Sequence, residues 1–184
     1  MKNNKEQGFT IIEISIVLAI MAVLVAGIWS ALAGKNDSAR AESFADELVQ
    51  TAANLQQRHS TQPAASRYTG ITLANTTPAI TESLRNSISG TTIVLEWGAT
   101  VTLGPTSITG GSGNTNFMFT LSGLPRAQCE AMLNVMAQPA FTVLSGATGT
   151  TSVRSRSTND PLSVADIGSV CSADSATNAF RAVY

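Results

Sequence analysis

Histidine occurs once, at His59, cysteine only twice, at Cys129 and Cys171, and charged residues make up just 12% of the 184 positions. One imidazole cannot furnish a multi-histidine metal centre, and two thiols are too few for an all-thiolate zinc site. Asp160, Asp166 and Asp174 could contribute to a calcium site, but their spacing matches no EF-hand, and solvated carboxylates are the simpler account. No metal or cofactor is therefore expected. Surplus positive charge is lacking too. With 11 Lys and Arg against 12 Asp and Glu, the chain carries a formal charge of -1, too little cation to neutralise many phosphates. Nucleic-acid binding is not expected. A P-loop would require Lys-Ser or Lys-Thr after Gly110-Gly111-Ser112-Gly113, and neither follows. That stretch reads as a turn. The length suits one domain with an extension.

What charge there is lies unevenly. Residues 1 to 8, MKNNKEQG, are polar, and from Phe9 to Gly34 the only charged side chain is Glu13. The neutral run from Ile14 to Gly34 has about the 20 residues a helix needs to cross hydrocarbon. Three readings compete. Ala31-Leu32-Ala33 before Gly34 resembles a signal-peptidase site, although the run exceeds an ordinary signal core of about 7 to 15 residues. A plain single-span anchor leaves Glu13 unexplained, because an acid within an apolar helix costs several kcal/mol. In the third reading the chain is cut between Gly8 and Phe9. The new α-amine, with a pKa of about 7.7 to 8.0, would then be cationic and able to meet Glu13 of a staggered neighbour, setting register while offsetting burial.

Gly8-Phe9-Thr10-Ile11-Ile12-Glu13, followed by the apolar run, resembles the N-terminal signature of type IV pilins and of the related pseudopilins of type II secretion. The resemblance implies cleavage by prepilin peptidase between Gly8 and Phe9, N-methylation of Phe9, and a filament-assembly role for Glu13. Asn116 to Cys129, NFMFTLSGLPRAQC, is similar to the strand, Gly-Leu and cysteine-bearing helix of type IVb pilins, such as the toxin-coregulated, bundle-forming and conjugative thin-pilus pilins. Cys171 matches the second cysteine of that family, implying a Cys129–Cys171 disulfide. The eight-residue leader and Phe9 look instead like type IVa, while Ser30 stands where many type IVa helices have proline.

An exported compartment also favours pairing of an even cysteine count. The rival, Cys129 as a nucleophile, would have only His59 as an imidazole base, and His59 reads as a solvated residue on a polar stretch.

Past Gly34, Ala41, Phe44, Ala45, Leu48, Ala52 and Leu55 form one apolar stripe, so a helix is expected from Phe9 to about Arg58. Asp37 or Ser38 could alternatively cap a separate second helix. A short helix is expected within Thr81 to Ser87, strands in the block Thr91 to Leu103 and in Asn116 to Leu121, and further strands over Phe141 to Leu144 and Ala179 to Tyr184, the last closing the sheet. Pro125 should stand in the first turn of a helix burying Ala127, Ala131, Met132, Val135 and Met136. The segment GATGTTSVRSRSTND between the cysteines should lie on the surface.

The expected class is α+β: a long N-terminal helix, its apolar half protruding and its amphipathic half on an antiparallel sheet, with a C-terminal disulfide loop. The expected division is 1–8 leader, 9–34 apolar half-helix, 35–60 amphipathic half-helix and 61–184 globular head, with a disulfide-bounded region 129–171. By resemblance the chain is a structural prepilin rather than an enzyme. It would be held in the bacterial inner membrane with its head in the periplasm, then polymerised with itself into a helical surface pilus by inner-membrane assembly machinery, for adhesion, aggregation or conjugation. A type II secretion pseudopilin, a minor pilin and a membrane-anchored exported protein are the alternatives.

Overall fold

Alanine, leucine and isoleucine dominate the first third of the chain, and they form one helix, α1, Ile11–His59. The computed structural model describes residues 10–107, 114–149, 151–156, 161–174 and 176–184, apart from the side chains at 31, 33 and 34. Asp37 and Ser38 lie inside α1 and cap no second helix. The chain divides into two units, Met1–Asp37 and Ser38–Tyr184.

In the described part of the first unit, helical geometry exposes apolar side chains all round, from Ile11 at 87% to Val25 at 49%. Such a helix is long and apolar enough to cross a membrane.

The second unit begins with the amphipathic part of α1. Ala41, Ala45, Leu48, Ala52 and Leu55 are all 2% exposed or less, as their spacing predicts, while Phe44 is half-buried and meets Trp97 edge-to-face at 5.5 Å. Thr51, polar and unremarked in the stripe, is fully buried with them. The remaining α-helices among the described residues are α2 (Leu73–Thr76), α3 (Glu82–Asn86), α4 (Arg126–Ala137) and α5 (Val164–Val170).

Seven strands form one antiparallel sheet: β1 (Ile88–Ser89), β2 (Thr92–Val94), β3 (Thr100–Thr106), β4 (Asn116–Leu124), β5 (Thr142–Ser145), β6 (Ser152–Ser155) and β7 (Asn178–Val183). Their order is β1-β2-β3-β4-β7-β5-β6. Alternation along β4 buries Phe117, Phe119 and Leu121 completely, and a register shift after Leu121 buries Leu124 as well, beside Phe180 and Ala182 of β7. These residues, the α1 stripe, and Met132, Leu133 and Met136 of α4 share a single core. Each fully buried Leu or Phe contributes about 1.5–3 kcal/mol relative to exposure.

Several sequence expectations need correction. The block Thr91 to Leu103 does hold strands, but β3 runs on to Thr106, and Gly98, at φ 82°, takes a left-handed conformation and turns the chain between β2 and β3. The expected turn at Gly110 to Gly113 lies outside the described residues. β7 completes the sheet from within, between β4 and β5. Pro125 is the N-cap of α4 and not in its first turn. Ala127 is exposed; the rotation of α4 buries Gln128, Cys129 and Leu133 in its place. The segment after β5 is not all loop, since Ser152–Ser155 pairs as strand β6. Finally, His59 is half-buried against Tyr68, with ring centroids 5.5 Å apart, because it ends α1 where the chain folds back across it.

Pro105 shows how local chemistry fits the sheet. β2 pairs only with Thr100 and Val101 of β3, so Pro105 is on the part of β3 whose outer side has no strand partner among the described residues. Its missing N–H breaks no ladder there.

Candidate functional site

Two regions carry the functional candidates: the apolar segment beginning at Thr10 and the disulfide-bounded part of the second unit. Gly8 and Phe9, the expected cleavage and methylation positions, lie outside the described residues.

Thr10 immediately precedes α1. Its hydroxyl accepts a hydrogen bond from the Glu13 N–H at 3.3 Å, and its carbonyl accepts from the same N–H at 3.0 Å. Thr10 thus acts as N-cap, and Thr10-Ile11-Ile12-Glu13 has the spacing of a capping box. Sequence reasoning missed this second role, although the Thr-x-x-Glu spacing was its signal. Glu13 is also placed where the helix macrodipole favours negative charge. Its side chain is exposed and takes part in no ion pair among the described residues. The neighbouring Ser15 hydroxyl donates to the Ile12 carbonyl at 2.8 Å, so this polar group is satisfied within its own helix. Chemically, the segment offers continuous apolar surface and one carboxylate.

Cys129 of α4 and Cys171, at the C-cap of α5, form a disulfide with Cα atoms 5.7 Å apart. Both are fully buried. A sulfur engaged in this bond is no nucleophile, which removes the Cys129 and His59 alternative.

The local sequence holds α5 in position for that bond. Ser163 is its N-cap: the Ser163 hydroxyl accepts from the Asp166 N–H at 3.2 Å, while the Asp166 carboxylate accepts from the Ser163 N–H at 2.9 Å and hydroxyl at 2.6 Å. The Ser163 hydroxyl, and then its backbone N–H, hold the Asp166 carboxyl below its usual range. Beyond the disulfide, Asn178 is buried and ties three chain segments together. Its Nδ2 donates to the carbonyls of Ala173, at 2.7 Å, and Leu124, while its Oδ1 accepts from the Ala173 N–H at 2.9 Å. Nothing in the composition singled out Asn178.

Of the three aspartates considered for calcium, the two described each have another partner. Asp166 serves as a capping residue, Asp174 approaches Arg126 at 3.6 Å, and Asp160 lies outside the described residues. Among the described residues no group of three or more His, Cys, Asp and Glu side chains could hold a metal.

Comparison with known families assigns both regions. Residues 3–29 match the prokaryotic N-terminal methylation motif, and residues 38–182, most of the chain, match the family described as PilS N terminal. A comparison with curated proteins gives no match. With the methylation motif spanning most of the apolar segment and the residues before it, and the PilS match spanning the sheet and disulfide, the chain belongs to the PilS family and is a type IV pilin, a prepilin subunit of a type IV pilus.

Proposed function

We propose that the chain is cleaved after Gly8, N-methylated at Phe9, and polymerised with copies of itself into a helical pilus of the type IVb kind. Residues 1–8 are then the leader, 9–34 the filament-core half-helix, 35–60 the amphipathic half-helix and 61–184 the head, with the disulfide bounding 129–171. Before assembly, the apolar half-helix anchors the subunit in the inner membrane with its head in the periplasm. The reading is of a structural subunit, and its chemistry is burial rather than catalysis.

The observation that carries this reading is the exposure of every large apolar side chain described between Ile11 and Leu32, next to a unit that has completed its own core. That surface needs a cover, lipid first and neighbouring copies afterwards. Glu13 supplies register. Its carboxylate answers the cationic amine of Phe9 on a neighbouring subunit, and the head-to-tail contact propagates without closing into a ring.

The mass and N-terminal sequence of the mature chain from sheared fibres test the proposal. A methylated Phe9 terminus is expected. A chain starting at Gly34 or retaining Met1 would refute it.

A further inference from the structure

On the face of the sheet turned away from the core lies a cavity of about 440 Å3. Register places its side chains there. Arg181 pairs with Leu144 and Val183 with Thr142 across β7 and β5, while the alternate residues Phe180 and Ala182 belong to the core. Ser107 and Ser152 complete the wall.

Two of these groups are buried polar atoms left without partners among the described residues: the Nε of Arg181 and the hydroxyl oxygen of Ser107. Native proteins rarely leave such groups unsatisfied, because each costs a desolvation penalty that only a partner recovers. Arg181 is also a half-buried cation with no ion pair among the described residues. Its cross-strand neighbours, Thr120 and Leu144, are neutral. An anion is the missing complement of a guanidinium fork.

The rest of the wall is not that of a bare anion site. The Thr142 and Ser152 hydroxyls lie 3.1 Å apart and both reach the Arg154 carbonyl, which fixes them while leaving oxygen lone pairs free to accept from ligand hydroxyls. Leu144 and Val183 supply apolar surface beside them. We propose that this cavity binds an acidic monosaccharide unit, with the sugar carboxylate on Arg181, its hydroxyls on Ser107, Thr142 and Ser152, and its C–H face on Leu144 and Val183. The site is separate from the apolar segment and does not depend on the assembly reading.

Calorimetric titration of the full chain in detergent micelles tests it, with sodium glucuronate, glucose and sodium acetate as probes. Glucuronate should bind saturably, and glucose and acetate at least about tenfold more weakly, since each lacks half of the contacts. Arg181→Gln should weaken glucuronate binding by at least about tenfold, the loss expected for a charge-assisted contact. Ser107→Ala should weaken it less, and Arg156→Gln, in a different cavity, should not change it. Absence of saturable glucuronate binding overturns the proposal, as does acetate binding as tight as glucuronate, which would mark an anion site alone. Should Arg181→Gln fail to fold, unchanged affinity in Ser107→Ala overturns it.

Discussion

Asn178 Nδ2 donates to the Leu124 carbonyl at 2.9 Å, joining residues 54 positions apart. Leu124 ends β4 and Asn178 begins β7, just where the pairing of those strands shifts register after Leu121. Gly123, at φ 77°, takes a left-handed conformation within the shift that an L side chain rarely adopts. The Asn178 side chain thus replaces ladder hydrogen bonds that the irregularity removes.

Replacing Asn178 with Ala should therefore be costly, because it strips the buried Leu124 carbonyl and the half-buried N–H and carbonyl of Ala173 of their partners. A loss of about 3 kcal/mol is expected from the penalties for such groups. Chemical denaturation of the full chain in detergent, followed by near-ultraviolet circular dichroism, would measure it. A midpoint unchanged from wild type would show that water replaces the amide without penalty.

Reduction of the disulfide should destabilise the second unit while leaving the helical signal of the apolar segment in place. The 42-residue separation corresponds to a loss of roughly 4 kcal/mol in the chain-entropy account. Cys129→Ser with Cys171→Ser should behave like reduction. Equal denaturant midpoints for oxidised and reduced protein would contradict this.

Glu13→Gln keeps side-chain size and lacks the charge. It should insert into membranes normally, since losing a charge favours the apolar phase, yet enter filaments poorly. Comparing membrane-fraction pilin with sheared-fibre pilin checks both halves. Wild-type fibre yield would remove Glu13 from register setting.

Stability should fall in alkaline solution. Tyr184 is 5% exposed, and burial pushes its phenol well above the ordinary tyrosine value. Above pH about 10 an unfolded chain ionises this phenol while the folded one keeps its proton. The folded state then binds more protons, so unfolding becomes easier as pH rises towards the folded value. Tyr68, raised chiefly by burial, acts in the same direction. Tyr184→Phe should flatten this slope without abolishing it, at the cost of the 3.3 Å hydrogen bond from its hydroxyl to the Met136 carbonyl. Stability measured at several alkaline pH values in both proteins decides the matter, and parallel slopes would exclude Tyr184 as the source.

Where periodicity had a single cause, it could be read from the sequence. The α1 stripe and the alternation of Phe117, Phe119 and Leu121 each follow from one buried face, and both appear as expected. Ala127 shows the limit of that reasoning. Its spacing suits the α4 stripe, but Cys129 and Leu133 set the rotation of the helix and carry Ala127 into solvent. Strand order was hidden for a related reason: alternation reveals which side of a strand is buried, not which strand lies beside it. In the apolar segment, the motif through Glu13 was legible because it is local, whereas the Asn178 bridge depends on contacts across 54 residues. The orphaned Arg181 and Ser107 atoms likewise required three-dimensional placement.

The central position of β7 also governs the order of events during synthesis. A chain that ends before Asn178 has β1 to β4 and the β5–β6 hairpin, but no strand to pair β4 with β5. Those pieces present bare strand edges to each other and to passing chains. The sheet of this head is therefore completed only when β7, nearly the last segment of the chain, takes its place between β4 and β5.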